Sequence, residues 1–473
     1  MPNVELEPGS FRDRSGRVVY VDDAVYRLLS RQALEEWQLL ASSAFFRRCL
    51  EEGQIVATRE ADWDELPPDL NFSSQDWPGL LKHQRIPFIS YPYEWPFEML
   101  KDAALLHLRL LREAMAEGML MKDSSPFNVQ WRGTNPLFID ILSFQPMEEG
   151  EPWSGYRQFC QLFLNPLLLE AYKNVDFRPW LRGSIEGITP GECNALMSLR
   201  DRFRRGVFSH VYLQSKLESR FGNTPQSVKG QIKQAGFSQA MIERNVRNLE
   251  KLIGRLRKKG GSSAWSDYAS HHSYTDQDHR AKADFVRRAA DSLSPRLVWD
   301  LGCNVGQFSR IASEAAEYVV AIDGDPLTVH RLYQQLKRED NSKILPLVMN
   351  LADPSPALGW RGRERKNLSA RGTPDLTLCL ALLHHMVIGA NVPLAEFIDW
   401  LASLGSSLVI EFVSKEDPMV EALLRNKPDQ YDDYDEAVLE KCLQDHFQVR
   451  ERTELSSGTR VLYLAERVER RSA

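Results

Sequence analysis

The residues best suited to chemistry lie in one short stretch of the second half. The apolar run Leu297-Val298-Trp299 ends at Asp300, the turn Gly302-Cys303-Asn304-Val305-Gly306 follows, and a helical pattern opens at Gln307-Phe308-Ser309. That order predicts a strand, a tight turn and a helix N-terminus. Gly302 and Gly306 let the backbone pass close to a ligand, and Asp300 sits at the strand end. A second strand, Tyr318–Ile322, ends at Asp323, 21 residues after Gly302. An acid placed there can accept hydrogen bonds from both ribose hydroxyls of a nucleoside.

The pattern Asp-x-Gly-Cys-Asn-x-Gly-x-Phe over residues 300–308 resembles motif I of the class I S-adenosylmethionine (SAM)-dependent methyltransferases. It departs from a dinucleotide fingerprint. The glycines are spaced Gly-x-x-x-Gly, and Asn304 stands where glycine is common. SAM brings no pyrophosphate that would need the Gly-x-Gly-x-x-Gly form. The resemblance covers about residues 265–467 and implies SAM contacts at Asp300, Gly302, Cys303, Asn304, Gly306, Phe308, Asp323 and Gly324. It further implies that Asp353, just after the third strand, bonds the adenine amino group, and that Lys282 pairs with the methionine carboxylate. Tyr268 and Tyr274, in an aromatic segment before motif I, are the expected lid over the cofactor. Asp-Pro-Ser-Pro (353–356), Leu-His-His (383–385) and Glu-Phe-Val-x-Lys-x-Asp-Pro (411–418) resemble a bacterial subgroup that includes nodulation-type proteins.

Transfer of a methyl group to an oxygen or nitrogen nucleophile needs a route for the acceptor's proton. His384 and His385 follow the fourth strand, and Glu411 ends the fifth. All three are candidate bases, since ligands in doubly wound sheets sit at the carboxyl edge of the strands. The paired His271-His272 lack the spacing and companions of a metal site.

The first half holds a second constellation. Lys122-Asp123, then Asn128, a hairpin turn and Asp140 resemble the catalytic core of kinase-like phosphotransferases. That likeness implies Asp123 as base and Asn128 and Asp140 as magnesium ligands if the lobe is active. The pattern departs from an active enzyme. Lys122 stands where such enzymes show His-Gly or His-Arg, Ile-Leu follows Asp140, and residues 1–60 carry no glycine-rich loop.

These residues need elements to position them. The chain has 473 residues, more than one core holds, so several domains are expected. The expected division is an N-terminal α+β domain with kinase-like resemblance at 1–205, a helical linker at 206–262, and a Rossmann-like methyltransferase domain with a seven-stranded sheet at 263–473. In the first half, helices are expected over 33–50 and 97–117, strands at 18–21 and 55–58, and a loop over 59–80. Ile242, Val246, Leu249, Ile253 and Leu256 form a helical stripe ending at Gly260-Gly261, the expected boundary. The net charge of −6 gives no overall pull toward nucleic acid. Six scattered cysteines without a Cys-x-x-Cys pair speak against zinc ribbons and a disulfide framework. With no basic apolar leader and no span-length apolar run, a cytoplasmic protein is expected. The acceptor is expected to be a small molecule or glycan. Two alternatives stand beside the methyltransferase: a bifunctional kinase–methyltransferase on a glycan or lipid-linked sugar, and a methyltransferase with a pseudokinase-like recognition domain.

Overall fold

The computed structural model describes residues 3–67, 72–148, 150–221, 238–258, 276–425 and 427–467. The backbone divides into two compact units, the first of residues 1–131, 136–260 and 358–365, the second of 132–135, 261–357 and 366–473. The expected boundary at Gly260-Gly261 falls outside the described residues.

The first unit opens with a five-stranded antiparallel sheet: β1 (Val4–Leu6), β2 (Gly16–Val21), β3 (Ala24–Leu29), β4 (Thr58–Glu60) and β5 (Gly79–His83), in the order β1-β2-β3-β5-β4. Alternation puts Val19, Val21, Tyr26, Leu28 and Leu80 on one buried face. The helix expected over 33–50 is two helices, Arg31–Ser42 and Ala44–Glu51. Ser43 divides them: its extended backbone ends the first, and its hydroxyl accepts the Phe46 N–H to start the second. The strand expected at 55–58 begins only at Thr58, and the expected loop over 59–80 contains the start of β5.

The helix Phe97–Ala116 is the unit's central element, with Leu100, Ala104, Leu108 and Leu111 all buried. Gly118, at φ 77°, turns the chain out of it into β6 (Met119–Met121), which pairs with β9 (Phe144–Pro146); β7 (Val129–Arg132) pairs with β8 (Asn135–Phe138). The helix Gln239–Arg255 lays Ile242, Val246, Leu249 and Ile253 against the first unit, and Lys101 Nζ donates to the Leu256 carbonyl at 3.1 Å.

The second unit is built on seven strands: β10 (Leu297–Leu301), β11 (Tyr318–Asp323), β12 (Ile344–Val348), β13 (Leu376–Cys379), β14 (Ser407–Val413), β15 (Phe447–Glu454) and β16 (Arg460–Arg467). Their order is β12-β11-β10-β13-β14-β16-β15. The first five are parallel, and β16 runs antiparallel to both neighbours. Buried on both faces, the parallel strands read as continuous apolar runs, and helices cover them. Phe285, Val286, Ala289 and Ala290 of the helix Asp276–Leu293 pack on this core, as do Leu332 and Leu336 of the helix Pro326–Arg338. This is the class I methyltransferase sheet. Strand order reverses between β10 and β13, which opens a crevice at their carboxyl ends. Among the described residues, no helix is long and apolar enough to cross a membrane.

Candidate functional site

At that crevice lies a cavity of about 360 Å³ in the second unit. The turn after β10 shapes one wall. Gly302, Asn304 and Gly306 all have left-handed backbones, with φ of 77°, 49° and 77°. A Cβ on Gly306 would come within 2.6 Å of Leu332 Cδ1, so glycine there answers both conformation and space. The reversal points the Asn304 N–H at Asp323, whose Oδ2 accepts it at 2.9 Å. The Asp325 N–H donates to Oδ1 at 2.8 Å. Two backbone donors therefore fix the carboxylate, and each oxygen keeps a lone pair for a ligand on the cavity side. Burial holds the Asp323 carboxyl above its usual range.

Asn304 Oδ1 is buried at this wall with no protein partner. An acceptor left so is costly unless a ligand donor meets it. Asp300 sits behind the wall, nearly fully buried, and takes the Ser309 hydroxyl at 2.5 Å. Burial chiefly, with Asp323 nearby, lifts its carboxyl to about 6 against the pull of Ser309.

Lys282, on the helix Asp276–Leu293, also lines the cavity, with its ammonium 5.1 Å from the centre of the Phe308 ring. Its Nζ donates to Glu411 Oε2 at 2.6 Å. Glu411 also takes Arg460 NH1 at 3.2 Å, and Arg460 forks onto Asp417 at 2.8 and 3.0 Å. All four side chains are at most 2% exposed. Two carboxylates and two cations thus cancel inside the fold. Burial lowers the Lys282 ammonium below its usual range.

The expected site residues divide. Gly302, Cys303, Asn304, Phe308, Asp323, Gly324, Lys282 and His385 line the cavity. Asp300 and Gly306 support it from behind. Asp353 is exposed and not part of the wall, which Asn350, Leu351 and Ala352 supply. The Asn350 side chain accepts the Ala352 N–H at 3.0 Å, an Asx turn that carries the chain past the rim before Asp353. Glu411, expected as a candidate base, is not on the cavity wall, and its two oxygens take Lys282 and Arg460. His384 is fully buried and off the cavity, its ring 4.1 Å from that of His385. Burial first, then His385, Arg460 and Lys282, holds its imidazole well below the usual range. His385 faces the cavity, and burial pushes its imidazole down to about 4. Tyr268 and Tyr274 lie outside the described residues.

Other lining residues escaped the sequence reading: His279, Gln307, Thr328, Met349, Leu382 and Met386. Gln307 Nε2 lies 3.2 Å from His279 Nδ1. Gln307 follows Gly306 at the first helical turn, a position that exposes a side chain to the ligand side, and that signal was available in the sequence.

In the first unit, Asn128 Nδ2 lies 3.4 Å from Asp140 Oδ2. Arg27 of β3 donates to Asp140 Oδ1 and to Asp13 Oδ2, each at 2.8 Å. Burial alone would raise the Asp140 carboxyl; Arg27 and the Ser143 hydroxyl at 2.6 Å outweigh it and hold it below its usual value. The Asp123 carboxyl is raised first by desolvation and then by Asp140. Among the described residues, no group of three or more His, Cys, Asp or Glu is arranged to hold a metal.

No family model matches the chain. It is 33% identical over 464 residues to nodulation protein NoeA of Rhizobium meliloti (strain 1021), covering 98% of this chain and 96% of that protein. Solved structures similar to it include the N-methyltransferase NodS from Bradyrhizobium japonicum WM9, at 16% identity and a TM-score of 0.31 over 41% of this chain and 98% of that one. Another is magnesium protoporphyrin IX methyltransferase (ChlM) from Synechocystis PCC 6803, at 22% identity and a TM-score of 0.30 over 44% and 90%. The chain belongs to the family of nodulation protein NoeA, and the fold of its second unit is that of the class I SAM-dependent methyltransferases.

Proposed function

We propose that the chain binds SAM in the second unit's cavity and transfers its methyl group to an oxygen or nitrogen nucleophile of a small-molecule or glycan acceptor. The observation that carries this reading is Asp323. Its carboxylate, fixed by two backbone N–H groups, lies on the cavity wall beside the unmatched Asn304 Oδ1. That acceptor set suits a ribose diol next to an amino group, which would donate to it. Lys282 supplies a cation for a carboxylate, and Met349, Leu382 and Met386 supply apolar walls for a base. Bound there, SAM supplies an already activated methyl group, so the protein's share is mainly positioning.

His385 is the remaining base candidate on the wall. Its depressed imidazole is neutral at neutral pH and can accept a proton that becomes acidic as the acceptor attacks. Glu411 acts one step back, by fixing the Lys282 ammonium.

The first unit is read as a recognition module without phosphoryl-transfer activity. Arg27 places a permanent cation on Asp140, where a kinase would bring magnesium. The NoeA relative is a nodulation protein, and a role in the same process belongs to this reading. Calorimetric titration of the full chain with SAM tests it: saturable binding is expected, weakened in Asp323→Ala.

A further inference from the structure

The first unit carries an apolar, cationic surface that the cavity chemistry does not use. It runs from the end of the helix Pro190–Leu196 through the 3-10 turn Arg200–Phe203 into the helical turns Phe208–Tyr212 and Leu213–Phe221. Phe203 is 93% exposed, Leu199 70%, Leu217 53% and Phe208 52%. Isolated exposed apolar side chains are ordinary; several large ones on consecutive turns mark a contact surface.

Local geometry turns them outward. Phe208–Tyr212 is a π-turn, one residue wider than an α-turn. Val207 and Val211 are buried, while Phe208, Leu213 and Leu217 are left exposed. Cations share the surface. The Arg202 guanidinium lies 4.2 Å from the Tyr212 ring centre, Lys216 Nζ lies 6.0 Å from it, and Phe208 stacks on the same ring at 5.7 Å.

The charge is one-sided. From Leu196 to Glu218 the sequence holds Arg200, Arg202, Arg204, Arg205 and Lys216 against two acids, Asp201 and Glu218, and Glu218 is matched by Arg157 Nε at 2.8 Å. Asp201 is buried and already matched by Lys173 Nζ at 3.0 Å and Arg204 Nε at 2.9 Å. The whole chain is acidic, so this excess is local.

We propose that the surface around Phe203 docks the chain reversibly on an anionic lipid bilayer. Phe203, Leu199 and Phe208 enter the headgroup boundary, and Arg200, Arg202 and Arg205 meet lipid phosphates. Interfacial attachment calls for this combination of aromatic and aliphatic groups ringed by arginine and lysine. A second copy of the chain fits less well, since a two-fold contact would set these cations against themselves. Nucleic acid would use the arginines but not the exposed Leu199 and Leu217.

Co-sedimentation of the full chain with vesicles tests this, using phosphatidylcholine alone and phosphatidylcholine mixed with phosphatidylglycerol. Binding is expected only with the anionic lipid and falls at high salt. Replacing Arg202 and Arg205 together by Gln weakens it roughly twenty-five-fold, at about fivefold per cation. Phe203→Ser weakens it about tenfold, with an unchanged circular dichroism spectrum because the ring is outside the core. Phe11→Ser, an exposed phenylalanine elsewhere in the unit, leaves binding intact. Equal binding to both vesicles, or full binding by Phe203→Ser, would overturn the proposal. So would a chain that ignores vesicles but dimerises through a contact that Phe203→Ser abolishes.

Discussion

Lys282 Nζ and Glu411 Oε2 are 2.6 Å apart, 129 residues apart in sequence, and at most 2% exposed. The pair joins the helix before β10 to β14, and Arg460 and Asp417 complete its charge balance. Lys282 is thereby held at the cavity wall without a net buried charge.

Removing one member leaves a buried charge uncompensated, at a cost of about 3–5 kcal/mol. Glu411→Ala is therefore expected to lower the stability of the second unit by that order, read from its urea midpoint. Lys282→Met combined with Glu411→Met removes both charges and is expected to cost less than Glu411→Ala alone. Wild-type stability in Glu411→Ala would contradict the network.

Asp300 gives a pH prediction. Its carboxyl is lifted to about 6 from a reference near 3.8, so the folded state holds this proton more tightly than the unfolded one. The group is neutral in both states well below pH 3.8 and ionised in both well above 6. Between these values its ionisation is easier in the unfolded chain, and stability falls as pH rises, by about 3 kcal/mol for a shift of this size. Asp300→Asn lacks that term. The stability difference between variant and wild type is expected to move in the variant's favour from pH 4 to pH 6 and then level off. A flat difference would contradict the assigned burial.

Gly306→Ala is expected to destabilise the second unit by about 1–3 kcal/mol, through its left-handed backbone and the contact with Leu332. Leu332→Ala in the same chain relieves the contact but not the backbone strain. Denaturation midpoints of the two variants separate these contributions.

The Arg27–Asp140 pair predicts that equilibrium dialysis with ATP and magnesium shows no saturable binding. Magnesium-dependent ATP binding that disappears in Asp140→Ala would restore the bifunctional reading.

Legibility in the sequence followed the range of the interactions. The strand ends and the turn that carry Asp300, Gly302, Gly306 and Asp323 were readable because a strand, a turn and a helix start are local patterns, and because a parallel pair fixes where β11 ends relative to β10. The five parallel strands were readable as apolar runs. The ion pairs of Glu411 were not readable because Lys282 and Arg460 come from distant parts of the chain. The exposed position of Asp353 was not readable because it follows one short Asx turn at Asn350. The Arg27–Asp140 pair, like the Lys282–Glu411 pair, went unnoticed because its partners lie far apart in sequence, here by 113 residues.

The central claim rests on Asp323 gripping the cofactor's ribose, and calorimetry with SAM on the wild type and Asp323→Ala tests it most directly. Hydrogen bonds to a charged group contribute about 1.5–3 kcal/mol each, so loss of the carboxylate should weaken binding by at least about tenfold. Saturable wild-type binding with that loss is the expected result. No binding by the wild type, or equal binding by Asp323→Ala, would contradict the account.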